Sequence, residues 1–356
     1  MYPVDMHNAL EQACPAIAES LPRVMIAELP TPVLNGTINA HGRNTRISVK
    51  CDNQTSSYYG GNKVRKLEYL LYRARSRGAT RIATFGAVGS NHAMATSLFS
   101  QREGFRCLAF LAHQTRTPAA ARALNRHLEI GTTLVRWGGN LKTRTAILRQ
   151  HLSGDEKTWV VPLGGTCWLG TLGFVDAALE LNQQIQRGEL DAPDAIYVAM
   201  GTMGTVAGLA IGLAMAGLET SVEAVRVTDE TTANPNGLQR LIDKTVLLMR
   251  HHGADIPSDL GARCRVRFRS EFFGDGYAKT NPQTDEAVAI AADQLGLTLE
   301  PTYTGKAFRG LLEDRRSQPD RQVLFWNTYN SKPLPVDTLR PDDVSGCPEE
   351  FLSYFD

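Results

Sequence analysis

The 356-residue chain carries 38 Lys and Arg against 37 Asp and Glu, a formal net charge of +1 with His neutral. That balance provides no global field to collect nucleic acid or anionic lipid, so any phosphate must be held locally. With 42% apolar and 21% charged residues the chain reads as an ordinary folded protein, long enough for one large α/β domain or two smaller ones, and not as a disordered, collagenous or disulfide-stapled chain.

The first thirty residues contain acids and Pro3, lack an uninterrupted apolar core and do not resemble a signal peptide. A helix is expected over Met6 to Ser20, followed by ELPTPVLNG, whose prolines impose an extended path, and this entry segment runs to about Ala40. Short β runs then alternate with helical ones. RISVKCD is a strand, KLEYLLYRARSRG a helix, RIATFG a strand, NHAMATSLFSQREG a helix and FRCLAFLAH a strand. TPAAARALNRHLEIG, TTLVRW, NLKTRTAILRQHLSG and WVVPLGG continue as helix, strand, helix and strand. GTLGFVDAALELNQQIQRG, DAIYVAMG and VAGLAIGLAMAGL follow as helix, strand and helix. RCRVRFR, from Arg263 to Arg269, reads as a strand with a solvated arginine face. No run of about 18 apolar residues suggests a membrane span. The six scattered cysteines include no C-x-x-C pair or metal spacing, which points to free thiols in a reducing, cytoplasmic setting.

This alternation predicts parallel sheets covered by helices on both faces. The glycine pairs Gly60-Gly61 and Gly164-Gly165 are the expected crossing points. They bound a smaller inserted α/β domain of residues 66–163 within a larger domain of 1–65 and 164–356. In open parallel sheets ligands bind beyond the carboxyl ends of the strands, so chemistry is sought in those turns.

Two turns stand out. DAIYVAMGTMGTVAGL sets a strand, the turn Gly201, Thr202, Met203, Gly204 and Thr205, and a helix in succession. Backbone N–H groups and a helix N-terminus arranged in this way bind phosphate, although G-x-x-G alone is equally explained as a structural turn. No G-x-x-x-x-G-K-[ST] is present, and Gly208 within the helix reads as a packing glycine. GGNKVRKLEYL places Lys63 after two glycines and Asn62, at the mouth of a helix. A helix N-terminus disfavours an ammonium and favours a neutral amine, the form that attacks a carbonyl. An amine together with an anion cradle is what pyridoxal 5'-phosphate requires.

GGNKVRKLEYL, GSNH at Gly89 to His92, PLGGTCWLGTLGFVDAALEL, the GTMGT loop and EPTYTGKAFRGL occur in one consistent order from about Leu29 to Phe325. Together they resemble the fold type II pyridoxal phosphate enzymes, specifically the D-cysteine desulfhydrase and 1-aminocyclopropane-1-carboxylate deaminase family. The resemblance implies an α/β fold of two mostly parallel sheet domains, tryptophan synthase β-like, with the cofactor in the cleft between them, and a homodimer. It implies that Lys63 carries the cofactor, that Lys66 lends charge to its phosphate, that Asn62 shapes the cofactor turn, and that Asn91 bonds the phenolic oxygen. Ser90 would face the substrate as proton shuttle or nucleophile, and the backbone of Ser90, Asn91 and His92 would hold the substrate carboxylate. Tyr303 and Tyr277 would be active-site tyrosines, and Thr304 would meet the ring nitrogen.

A neutral hydroxyl at Thr304, in place of a carboxylate, weakens the ring as an electron sink and favours rapid loss of a β-leaving group. The expected reaction is α,β-elimination on a small β-substituted amino acid such as D-cysteine, giving a 2-oxo acid and ammonia. Cyclopropane-opening deamination, racemisation, β-replacement and a non-catalytic amino-acid-binding protein are the alternatives. A nicotinamide-binding enzyme is disfavoured because no G-x-G-x-x-G follows the early strands. Two departures from the family pattern point to a remodelled substrate pocket: Ala93, Met94 and Ala95 follow SNH, and Asn327-Thr328-Tyr329-Asn330 stands where the family tends to read His-Thr-Gly-Gly.

Overall fold

The computed structural model describes residues 7–330 apart from 41 and 155, together with 332, 334 and 343–356. Met6, where the first helix was expected to begin, lies outside the described residues. The chain divides into two compact units, the first of residues 1–22, 27–69 and 166–331 and the second of 23–26, 70–165 and 332–356. Residues 332, 334 and 343–356, expected with the larger domain, fall in the second unit.

The first unit begins with helices α1 (Ala9–Ala13) and α2 (Pro15–Ser20), strands β1 (Val33–Ala40) and β2 (Arg43–Lys50), and the start of α3 (Lys63–Ser76). The second contains β3 (Arg81–Ala87), α4 (Asn91–Arg102), β4 (Arg106–Ala112), α5 (Pro118–Glu129), β5 (Thr133–Arg136), α6 (Leu141–Leu152) and β6 (Thr158–Val160). The first resumes with α7 (Trp168–Gln186), β7 (Ala195–Met200), α8 (Gly204–Met215), β8 (Ser221–Arg226), α9 (Pro235–His251) and β9 (Val266–Arg269). It ends with α10 (Pro282–Leu295), α11 (Thr304–Ser317) and β10 (Val323–Trp326).

The first unit's sheet has the order β1-β2-β10-β7-β8-β9, parallel throughout except for the antiparallel β1–β2 hairpin in the register Val33 to Lys50. The second unit's sheet, β5-β4-β3-β6, is entirely parallel. Strands β7 and β10 are buried along their whole length, as sheets covered on both faces require. Tyr197, Val225, Phe308, Leu311 and Phe325 are central in the core where α11 meets the sheet. Helices start on side-chain caps: Ser90 for α4, Thr117 for α5, Asn140 for α6, Asn234 for α9 and Asn281 for α10, with Thr117, Asn234 and Asn281 each followed by Pro at the first helical position.

Two expectations need correcting. The entry segment is not merely extended, because Val33–Ala40 pairs as an edge strand. The arginine face of RCRVRFR is only partly solvated: Arg267 is exposed, but Arg269 is 5% exposed and its Nη1 donates to Asp314 Oδ2 at 2.5 Å and Glu223 Oε2 at 3.2 Å. The cause is Glu223 on the neighbouring strand, a buried carboxylate that draws in Arg269 and Arg321.

Helices α7 and α8 approach closely at Gly208 and Gly212. A Cβ at Gly208 would fall 2.4 Å from Phe174 Cβ and 2.5 Å from Thr171 O, so Gly208 is a packing glycine as expected. No helix among the described residues is long and apolar enough to cross a membrane, and all six cysteines are free. Gly208→Ala should lower stability by about 1–3 kcal/mol through overpacking of this interface. Thermal unfolding measures it, and an unchanged melting temperature would contradict the packing described.

Candidate active site

The lysine turn is built by the chain between β2 and α3. Gly61 adopts φ +94°, its N–H donates to Asp52 O at 2.8 Å, and the Asn62 N–H donates to Thr328 O at 3.1 Å. A Cβ at Gly60 would lie 2.0 Å from Asn53 O, so only glycine allows this approach. Asn330 Oδ1 accepts the Gly60 N–H at 2.9 Å, which gives a role to one of the residues that replace the family's glycines. From this turn Lys63 opens α3. The residue is half-buried, and desolvation of its amine lowers its pKa from 10.5 to about 8.

Within the same unit the turn before α8 forms an anion cradle. Met203 is left-handed at φ +69°, and α8 begins at Gly204 with neither a side-chain cap nor an acid in its first turn. Its positive end therefore stays available to an anion. A Cβ at Gly204 would lie 2.9 Å from Thr166 Oγ1 and 3.0 Å from Lys66 Nζ, so the bare backbone leaves room for both groups. Thr166 and Thr202 share a 2.6 Å hydroxyl contact, and Asn62 Nδ2 donates to Thr205 Oγ1 at 3.0 Å. Lys66 is 2% exposed, and burial together with the nearby Lys63 amine pushes its pKa well below the ordinary lysine value. A phosphate held here would raise both amines again.

The tyrosines also come together in this unit. Tyr277 and Tyr303 hydroxyls are 2.6 Å apart, with rings edge to face at 6.0 Å, and a Cβ at Gly201 would lie 3.3 Å from Tyr303 Cε1. Burial raises both phenol pKa values, that of Tyr303 well above 10. Lys306 Nζ donates to Phe273 O at 2.6 Å and Gly276 O at 3.2 Å, anchoring the loop that carries Tyr277. Thr304 is 1% exposed. Its hydroxyl accepts the Glu300 N–H at 3.0 Å and donates to Glu300 Oε1 at 3.1 Å. Glu300 also accepts the N–H groups of Thr302, Tyr303 and Thr304, and burial outweighs these bonds to raise its pKa to about 7.

Ser90, Asn91 and His92 belong to the second unit, at the start of α4. Ser90 Oγ accepts the Ala93 N–H at 3.3 Å, and α4 has no acid in its first turn. His92 is 4% exposed, and its Nε2 lies 3.2 Å from Thr84 Oγ1 on β3. That contact turns the ring into the core.

The donor set fits a phosphate-bearing aldehyde: two amines of depressed pKa, three threonine hydroxyls and an uncapped helix start lie within one unit. Lys63, Lys66, Asn62 and the 201–205 turn would hold that group. Thr166 and Glu300 were not singled out from sequence. Thr166 stood inside a quoted motif, but its pairing with Thr202 across 36 positions has no local signal. Trp168 stacks on His252 at 5.7 Å, a packing contact.

Comparison with known proteins identifies the family. The family model described as pyridoxal-phosphate dependent enzyme matches residues 24–328. A candidate 1-aminocyclopropane-1-carboxylate deaminase of Thermotoga maritima is 32% identical over 313 residues, covering 86% of this chain and 95% of that protein. The D-cysteine desulfhydrase of Klebsiella pneumoniae is 31% identical over 325 residues, covering 88% and 95%. A solved structure of an ACC deaminase homologue superposes with a TM-score of 0.74 at 26% identity, covering 92% of this chain and 96% of that one.

If the Lys63 amine is as desolvated as described, apoprotein mixed with pyridoxal phosphate should condense at a rate that rises with pH through a midpoint near 8, because only the deprotonated amine attacks. Stopped-flow absorbance with Lys63→Ala as control measures it, and a midpoint near the ordinary value of 10.5 would contradict the burial. By family match, overall fold and donor set, the chain belongs to the pyridoxal-phosphate dependent enzymes, as a fold type II member similar to the D-cysteine desulfhydrases and 1-aminocyclopropane-1-carboxylate deaminases.

Proposed function

We propose that this enzyme is a lyase that carries out α,β-elimination on a small β-substituted amino acid, D-cysteine being the preferred candidate. The observation that carries the reading is the Lys63 amine of depressed pKa in the same unit as a threonine-lined helix start. The chemistry supplied by bound pyridoxal phosphate is an aldehyde that condenses with amines and a ring that draws electrons from the α carbon. For D-cysteine and water the products are pyruvate, ammonia and hydrogen sulfide. The Cα–H and Cβ–S bonds break, the thiol departs, and water replaces nitrogen.

The roles follow from the residues. Lys63 would hold the aldehyde, and its amine would serve as the acceptor of the substrate's α proton. Lys66, Thr202, Thr205 and the N–H groups of Gly201 to Thr205 would grip the phosphate, with Asn62 orienting the Thr205 hydroxyl. The N–H groups at the start of α4, around Ser90 to His92, would hold the substrate carboxylate, Ser90 would shuttle a proton, and Asn91 would bond the cofactor's phenolic oxygen. The coupled hydroxyls of Tyr277 and Tyr303 face the substrate and deliver a proton to the departing sulfur. The enzyme is read as a homodimer in a reducing cytoplasm, the second part supported by its free thiols.

One observation favours a second reading. Glu300 stands one hydrogen bond behind Thr304, and its pKa of about 7 leaves it partly ionised near neutrality. A carboxylate relayed through the Thr304 hydroxyl strengthens the electron sink and would support cyclopropane-opening deamination. Purified holoenzyme is assayed for keto acid with D-cysteine, β-chloroalanine and 1-aminocyclopropane-1-carboxylate in separate reactions. Elimination predicts keto acid from the first two, and turnover of the cyclopropane alone selects the second reading. Absence of keto acid with all three would contradict both.

A further inference from the structure

The family match ends at residue 328, yet residues 343–356 fold into the second unit. They end in a 3-10 helix, Glu349–Tyr354, whose Phe351 is 0% and Tyr354 6% exposed. Both rings join Val88, Ala93, Leu111, Ala120 and Leu124 in that unit's core. The Tyr354 ring stacks on His113 at 5.9 Å and 11°.

The Tyr354 hydroxyl meets both main-chain polar groups of one residue just beyond β4. It donates to Gln114 O at 2.8 Å and accepts the Gln114 N–H at 2.9 Å. The Gln114 side chain in turn accepts the Gly89 N–H on Oε1 at 3.0 Å. A Cβ at Gly89 would lie 2.9 Å from Gln114 Nε2, so the two segments are in direct contact. Gly89 immediately precedes Ser90, the cap of α4. A continuous chain of contacts thus runs from the C-terminal helix through Gln114 to the turn that aims the first N–H groups of α4.

We propose that the C-terminal helix is a positioning element for substrate binding: Tyr354, acting through Gln114, fixes the Gly89–Ser90 turn so that the start of α4 is preset for a carboxylate. This rests on the proposed role of that turn in holding an amino acid. A helix start binds an anion well only when its N–H groups converge before the ligand arrives, and two main-chain bonds plus one side-chain bond impose that order here. Whereas the lysine turn and the phosphate cradle belong to the first unit, Tyr354 and Gln114 belong to the second. Their loss should therefore alter substrate affinity and leave cofactor retention intact.

The test compares wild-type holoenzyme with Tyr354→Phe, which keeps the stacked ring and removes only the hydroxyl, and with Gln114→Leu. Amide hydrogen exchange over residues 87–92 should accelerate about three- to tenfold in both variants, the effect of losing one hydrogen bond. KM for the substrate should rise by a similar factor with a smaller change in kcat, while visible absorbance of the bound cofactor stays at the wild-type level. Unchanged exchange over residues 87–92 would overturn the proposal. So would exchange that rises equally in every helix of the second unit, or a kcat loss with no change in KM. Should the wild-type protein turn over no amino acid, the functional reading fails, and the exchange data alone still decide whether the tail orders the turn.

Discussion

The first unit depends on one buried carboxylate, Asp52. Its side chain accepts from Arg65 Nε and Nη2, from Trp326 Nε1 at 2.9 Å and from Thr31 Oγ1 at 3.0 Å, while its main-chain oxygen accepts the Gly61 N–H. One residue thus ties the end of β10, the entry segment, the first turn of α3 and the lysine turn together. Around it Arg65 also meets Glu180 and Asp176, and Lys50 meets Glu180 at 2.5 Å. Arg65 and Lys50 are at most 1% exposed. Burial by itself would raise Glu180, but Arg65 and Lys50 overcome it and draw its pKa down to about 2. Such a network contributes less to net stability than its Coulomb energy suggests, because each charge loses its hydration. Its effect here is geometric: the contacts converging on Asp52 brace the turn that presents Lys63.

Within one helical turn of α3 the charges divide. Arg65 points toward carboxylates and stays charged, whereas Lys63 and Lys66 are desolvated with depressed pKa values. The uncapped start of α8 and the threonine hydroxyls surround a position suited to a doubly charged phosphate. An anion that raises the lysine pKa values on binding gains from the same terms that depress them in its absence. Burial of the two amines thus favours the neutral, reactive form of Lys63 and leaves both able to regain charge beside an anion.

Much of this was legible in the sequence, and particular residues show why the rest was not. Periods of two and of 3.6 marked β3 to α8 in order, and glycine with lysine at a helix mouth marked the turn proposed to carry the cofactor. Strand β1 was missed because Asn35, Gly36 and Asn39 read as loop formers, and only pairing with β2 makes them a strand. Arg269 looked solvated because its partners Glu223 and Asp314 lie 46 and 45 positions away. The same distance blindness hid Thr166 behind Thr202, Glu300 behind Thr304, and Asn330, which spans 270 positions to hold Gly60. Local chemistry names the reactive groups, and tertiary contacts decide their orientation and charge.

The central claim is that a single amine, that of Lys63, carries the cofactor. Purified holoenzyme reduced with borohydride and digested should yield one pyridoxyl-modified peptide containing Lys63, and Lys63→Ala should yield none while remaining folded. A label on Lys66 or any other lysine, or a colourless protein that takes up no pyridoxal phosphate, would contradict the account.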